Sequence, residues 1–482
     1  MTSRNTSTVR PIALDEASPV LGSADVVIVG FGAAGAAAAI EAARTGASVL
    51  VLERAGGPGG AAAQAGGIIY LGGGTPTQIG AGIFDSAEAM ETYLLAACGP
   101  EPDTAKISAY VKGNLEHHRF FVDCGVEFEP SLCETVQMES PGTEGLVWSG
   151  GENAYPFNQL TKPAPRGHLA RTKGATGWLL MEKLHDAALS LGVNVEYDLR
   201  VERLVLDGER VVGVEATRFG VTGTFLASGG VVVAAGGFIH NEEMLAAEAP
   251  SVLVGNYKVG TSSDDGRGIQ MLLALGARTK SMHAGECSLP VMPPKKLTEG
   301  IIVDRKGQRF INEDTYNGRI GQRALYNHDA TCFLIVDEAA YSPTWLGLEA
   351  TAVCATVEEL ETEGGFVPGS LKATIDLYNH HASSGSDPVF HKDPAFVRPL
   401  VGPLGLMELR SPNIPYAVFT LGGVVTTVDG EVVDVDGRVI PGCFAAGRTT
   451  SGICSFGYAS GLSIGDSTFF GRLAGKAAAQ RR

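Results

Sequence analysis

Residues 25–54 read DVVIVGFGAAGAAAAIEAARTGASVLVLER, and no other stretch constrains the chain as tightly. DVVIVG predicts a buried strand, AAGAAAAIEAARTG a helix of small residues ending at Gly46, and ASVLVLER a second strand, together a βαβ unit. Gly30, Gly32 and Gly35 fall between strand and helix in G-x-G-x-x-G spacing. Gly30 permits the tight turn, Gly32 lets backbone approach a pyrophosphate, and Gly35 lets helix and strand pack closely. Phosphate then rests on helix N–H groups. Glu53 ends the second strand, where a carboxylate accepts ribose hydroxyls and repels a 2′-phosphate. A lone glycine motif is weak evidence; one that follows a strand, opens a helix and precedes an acid predicts a dinucleotide site. The motif leaves NAD or FAD open.

The rest of the chain is read around this unit. Residues 1–18 are polar and expected to be loose. A helical insertion is expected at about 85–165. TGWLLMEKLHDAALSLGV predicts an amphipathic helix, and NVEYDLRVERLVLDGERVVGVEA strands broken by an Asp207-Gly208 turn. GGVVVAAGGF returns to a buried strand, and GLSIGDSTFFGRLAGKAAAQ predicts a closing helix. Residues 286–404 are mixed and proline-punctuated, which suggests a cap domain. The nucleotide domain is therefore expected in two parts, 1–285 and 405–482.

With 482 residues, 44% apolar and 19% charged, the chain has ample apolar surface for two or three domains. A net charge of −16 disfavours nucleic acid and favours a neutral substrate. The eight cysteines show no CxxC pair, and neither they nor His380 and His381 have metal-site spacing, so no metal is expected. Reduced thiols, no signal-peptide pattern and no bilayer-length apolar run predict a cytoplasmic protein without a transmembrane segment. Lys162, Arg166 and His168 are read as a solvated loop.

The βαβ segment, AGGPGGAAAQAGG, VVVAAGGF, SSDDGRGIQM, GQRFINEDTY and IPGCFAAGRTTSGICSFGYASGLSIG occur in the order found in flavoproteins of the fumarate reductase and ketosteroid dehydrogenase superfamily, which the chain resembles over nearly its whole length. The resemblance implies an α/β fold: a discontinuous Rossmann-like FAD-binding domain with an inserted α+β cap or catalytic domain. It implies FAD held by Gly30, Gly32, Ala33, Ala34, Gly35, Glu53 and Arg54, and by Gly60, Ala61, Ala62, Ala63, Gly66 and Gly67 of the following loop. Val201, Ala235, Gly236, Asp265 and Arg448 are implied along the dinucleotide, and Gly461, Ser463 and Ile464 at a helix start facing the flavin pyrimidine. Relatives with covalent flavin carry a histidine where this chain reads AAAQAGG, so non-covalent FAD is expected.

The dicarboxylate enzymes of the superfamily place a histidine and then an arginine after AAGE. Counted from AAGR here, those positions fall on Cys454 and Tyr458, and a further histidine position falls on Phe419. Losing arginine removes both the charge and the fork that hold a carboxylate. Where fumarate reductases deliver a proton from arginine, the cap reads Asn317, beside Tyr316. The combination resembles 3-ketosteroid dehydrogenases, especially those forming the 4,5 double bond of 3-keto-5α-steroids; the PGPG-like segment of the 1,2 enzymes is absent.

Carried over, the resemblance makes Tyr458 the base for the α-proton, Ser460 its relay, and Tyr316 an assistant to that tyrosine or to the carbonyl. Hydride leaves to flavin N5. An ordinary phenol, with a pKa of about 10, needs its anion stabilised for such a role. The implied partners are a hydrophobic 3-ketosteroid and an unspecified electron acceptor. A 1,2-dehydrogenase and a fumarate-reductase-like reductase of an activated double bond are the alternatives.

Overall fold

In the computed structural model, which describes residues 9–134 and 142–481, nine strands form the largest sheet. They are β1 (Ile12–Ala13), β2 (Val20–Val29), β3 (Val49–Leu52), β4 (Asn194–Glu196), β5 (Arg200–Asp207), β6 (Arg210–Arg218), β7 (Val221–Val233), β8 (Glu431–Val433) and β9 (Val439–Ala445). The order β1-β5-β6-β7-β2-β3-β4 makes a parallel group, β7-β2-β3-β4, beside an antiparallel meander, β5-β6-β7. β9 returns from the far end of the chain to lie parallel to the end of β7, and β8 pairs with it. The nucleotide sheet is thus discontinuous in sequence.

Val26, Val27 and Ile28 of β2 are fully buried: Val26 and Ile28 cluster with helix residues such as Ile40 and Leu180, and Val27 clusters on the other face with meander residues such as Leu204 and Val214. Helix α1 (Ala33–Arg44) packs on one face beside α2 (Gly177–Ser190) and α3 (Leu462–Gln480). α1 and α3 approach so closely that a Cβ at Gly471 would lie 2.4 Å from the Ala34 carbonyl oxygen, and one at Gly475 2.1 Å from that of Ala38. The alanine and glycine bias of the two segments is a packing requirement.

Gly35 has the same logic: a Cβ there would sit 2.0 Å from the Gly30 carbonyl oxygen and 3.4 Å from Ile28 Cγ2. Gly35→Ala is expected to lower stability by about 1–3 kcal/mol through overpacking. Thermal unfolding and FAD content after purification check it, since the displaced turn carries the nucleotide site.

Four parts of the sequence reading are corrected. Residues 9–18 are ordered: β1 lies parallel to β5, and the Ser18 N–H donates to Glu215 Oε1 at 2.7 Å. The first eight residues lie outside the described part. Arg166 and His168 are fully buried, Arg166 forking onto Asp85 at 3.0 and 2.7 Å and His168 meeting Thr75 at 2.8 Å. These two residues read as solvated because the partners of Arg166 and His168, Asp85 and Thr75, are far away in sequence. The third correction is the cap boundary, and the fourth is the extent of the helical insertion.

The cap carries a four-stranded antiparallel sheet in the order Ile301–Val303, Thr331–Asp337, Leu404–Arg410, Ala352–Cys354. Leu404–Arg410 pairs along its whole length with Thr331–Asp337, so the cap sheet runs past the boundary expected at 404. Helices Val357–Gly364 and Ser370–Ala382 cover it. Between cap and nucleotide sheet, strands Gly285–Ser288 and Ala417–Thr420 pair antiparallel with Glu286 opposite Phe419. Helices Ala87–Ala97, Thr104–Lys112 and Asn114–Asp123 occupy only the first part of the stretch expected as a helical insertion; its later part carries the paired short strands Leu132–Cys133 and Leu146–Val147. No helix among the described residues is long and apolar enough to cross a membrane.

Candidate active site

A cavity of about 600 Å³ begins at the carboxyl ends of β2, β3 and β7 and runs under the cap. Such strand ends are where open α/β sheets bind ligands. Gly30 turns with φ +97°, and a Cβ there would lie 2.6 Å from the Ala234 carbonyl oxygen. Gly32 is the N-cap of α1, and Gly461 (φ +96°) that of α3. Both helix starts open on the cavity, so the positive ends of two helices meet in one space. One suits a pyrophosphate, the other an anionic ring. At Gly60, a Cβ would come within 3.5 Å of Gly32 Cα and narrow the channel between loop and turn. These features fit FAD.

Glu53 is held by N–H donors from Phe31 at 2.6 Å and Ala55 at 2.7 Å, which fix its carboxylate at the end of β3. Each of its oxygens keeps further lone pairs for sugar hydroxyls. Arg54 and Asp265 pair across the rim at 2.8 Å. Arg448 is held by Asp264 at 3.0 Å and by the Val259 carbonyl at 3.2 Å. Asp264 also accepts the Gly237 and Thr261 N–H groups at 3.0 and 2.9 Å, and it lines the cavity as Asp265 does.

Of the residues expected from sequence, Gly30, Gly32, Ala33, Ala34, Glu53, Arg54, Gly60, Ala61, Ala62, Ala63, Gly66, Gly67, Val201, Ala235, Gly236, Asp265, Arg448, Gly461, Ser463 and Ile464 all line this cavity. Tyr316, Tyr458 and Ser460 line it too. Gly35 does not; it lies behind the turn, in the helix–strand contact described above.

At the far end the hydroxyl groups separate into two sets. Ser460 Oγ lies 2.7 Å from Tyr316 Oη. Tyr458 Oη instead accepts the Ser463 N–H at 3.1 Å, in the first turn of α3. The sequence paired Ser460 with Tyr458; the structure pairs it with Tyr316, 144 residues away. Phe419 packs edge-on to Tyr458 with ring centres 5.2 Å apart, so the position of a dicarboxylate-binding histidine is an apolar wall. Cys454 faces Cys98, with sulfurs 3.9 Å apart.

Burial raises the Tyr458 phenol well above its ordinary range; the Ser463 and Gly461 backbone offsets only part of that. Its Oη already accepts a hydrogen bond, so the proton is what it offers the cavity. Burial, with Glu286 and Tyr458 nearby, also raises Tyr316, which Ser460 partly counters.

Sequence reasoning missed Glu286, Asp264 and the Trp148-Ser149 wall. Asp264 was signalled by the acidic doublet in SSDDG. Glu286 was signalled only as a single acid inside the short strand Gly285–Ser288.

The FAD binding domain family matches residues 25–463. The solved 3-ketosteroid-delta4-(5alpha)-dehydrogenase from Rhodococcus jostii RHA1, in complex with 4-androstene-3,17-dione, is 46% identical, with 98% of this chain and 99% of that one covered and a TM-score of 0.94. The 3-oxosteroid 1-dehydrogenase of Mycobacterium tuberculosis is 28% identical over 93% of this chain and 97% of its own length. The 3-oxo-5-alpha-steroid 4-dehydrogenase of Comamonas testosteroni is 26% identical over 88% and 92%. A cradle of glycines and two helix starts, matched along nearly its whole length, identifies the chain as a member of the FAD binding domain family and an FAD-dependent oxidoreductase.

Proposed function

We propose that the protein dehydrogenates 3-ketosteroids, forming the 4,5 double bond of 3-keto-5α-steroids. The observation that carries this is the separation of the hydroxyls: a Ser460–Tyr316 pair at one point of the cavity end, and Tyr458, braced by a helix N–H, at another. A saturated ketone needs both a proton acceptor beside its α-carbon and a donor for its oxygen. The solved relative at 46% identity holds 4-androstene-3,17-dione, the 4-ene-3-ketone that such a reaction leaves, which supports the 4,5 position.

FAD, held by the glycine turn, Glu53 and the start of α3, supplies the hydride acceptor. Tyr458 donates to the carbonyl oxygen and stabilises the charge that develops there, rather than acting as the base expected from sequence. Ser460 takes the α-proton while its own proton passes to Tyr316, which gives up its phenolic proton in turn. Arg448 is committed to Asp264 and offers no free charge to a carboxylate. Phe419, Trp148 and Ile464 make the walls apolar.

Anaerobic mixing with a 3-keto-5α-steroid is expected to bleach the oxidised flavin and yield the 4-ene-3-ketone. A 4-ene-3-ketone saturated at C1–C2 is expected to leave the spectrum unchanged. Bleaching by the second compound alone would reassign the enzyme to the 1,2 bond. Bleaching by neither, with turnover of fumarate by a reduced dye, would put it among the reductases.

A further inference from the structure

Neither hydroxyl of the Ser460–Tyr316 pair can serve as a resting base. A serine hydroxyl is a far weaker acid than a phenol, and the Tyr316 phenol is itself raised above its ordinary range of about 10. A relay through two such groups needs an acceptor beyond them whose pKa lies near the working pH.

We infer that Glu286 is that acceptor: the substrate α-proton passes through Ser460 and Tyr316 onto the buried Glu286 carboxylate. This rests on the dehydrogenase assignment above. Tyr316 Oη lies 2.7 Å from Ser460 Oγ and donates to Glu286 Oε1 at 3.3 Å, so the three side chains form one line leading away from the cavity. Glu286 is 1% exposed, and its Oε2 has no hydrogen-bond partner among the described residues. A buried carboxyl oxygen without a partner is costly, and a structural role alone does not account for it.

The surrounding backbone is shaped for this contact. Glu286 stands on Gly285–Ser288 directly opposite Phe419, which lines the cavity. A Cβ at Gly318 would lie 2.1 Å from Glu286 Oε1 and 2.2 Å from Tyr316 Cε1. Only glycine there lets the carboxyl reach the phenol.

Burial raises the Glu286 carboxyl, pushing it up to about 8, against smaller lowering by Tyr316 and the Cys287 backbone. The titratable groups around it are Tyr316 and Tyr326, Cys287 on its own strand, and Cys454 and Tyr458 from the loop before α3. None of them is a cation. The acceptor must be deprotonated before turnover, so the competent fraction grows as pH rises through this value and is complete above it.

The proton balance is simple. The α-carbon–hydrogen bond breaks and its electron pair enters the new double bond. The proton ends on Glu286 Oε1, and the β-hydrogen leaves as hydride to the oxidised flavin that the activity itself requires. Glu286 must lose this proton before the next turnover.

The test uses the FAD-loaded protein. In the wild type, the rate of flavin reduction by a 3-keto-5α-steroid is expected to rise about tenfold per pH unit below about pH 8 and then level off. Glu286→Gln is expected to be on the order of a hundredfold slower at the plateau and to lose this ionisation, with steroid product affinity retained. Independently of turnover, difference infrared spectroscopy of the substrate-free protein is expected to show a protonated-carboxyl band that disappears across the same pH range and is missing from Glu286→Gln. Tyr316→Phe keeps the carboxyl, so it should keep the infrared titration while losing the kinetic ionisation; it also covers the case in which Glu286→Gln folds poorly. A wild-type flavin that no ketosteroid bleaches sinks the dehydrogenase assignment and the relay with it. A bleaching wild type whose Glu286→Gln variant keeps the same rate and pH profile, or whose carboxyl band does not titrate, overturns the relay alone.

Discussion

Ser460→Ala is expected to slow flavin reduction by a 3-keto-5α-steroid by a factor on the order of 10³, the range for losing a positioned proton acceptor. FAD content and steroid affinity should stay near wild type. Ser460 reaches the cavity from the loop before α3, where its N–H donates to the Ser149 carbonyl at 2.9 Å, and alanine preserves that backbone bond. What alanine removes is the hydroxyl 2.7 Å from Tyr316. Stopped-flow reduction beside equilibrium steroid titration separates the two effects: a large loss in rate with little change in affinity is the expected pattern. Wild-type rates in Ser460→Ala would return the base role to another group.

Tyr458→Phe should cost somewhat less, on the order of 10²–10³, as for removal of one donor to a developing oxyanion. Phenylalanine keeps the edge-on packing against Phe419 and changes little in volume. It leaves the Ser463 N–H without its acceptor, so a loss of stability of about 1 kcal/mol accompanies the loss of rate. The discriminating measurement is the pH profile. A donor to the carbonyl lowers the whole curve without moving its inflection, whereas loss of the base removes the inflection. If Tyr458→Phe flattened the profile while Tyr316→Phe left it intact, the sequence-based role of Tyr458 would be restored.

The two halves of the site differ in how far they could be read from sequence, and the reason is the range of the forces involved. The nucleotide end rests on short-range effects. Gly30 must take a positive φ, Gly35 must lack a Cβ because the Gly30 carbonyl is 2.0 Å away, and Glu53 ends a strand of four buried apolar residues. Backbone sterics and hydrophobic periodicity act over a few residues, so these positions are legible one beside another. The missing histidine and arginine could likewise be read as single substitutions at Cys454 and Tyr458.

What sequence by itself determined was therefore the strand–turn–helix–strand unit, its dinucleotide site and the loss of the dicarboxylate anchors. Only the tertiary structure decided which hydroxyl meets which. Ser460 lies two residues from Tyr458 in sequence, yet it bonds to Tyr316 across 144 residues, while Tyr458 turns to the first N–H groups of α3. Glu286 enters the same line from a strand 30 residues before Tyr316. Hydrogen bonds between side chains on separate elements depend on how the cap packs against the nucleotide sheet, and no local pattern encodes that distance. The same holds for Arg166, which read as a solvated residue and is instead fully buried against Asp85, 81 residues earlier.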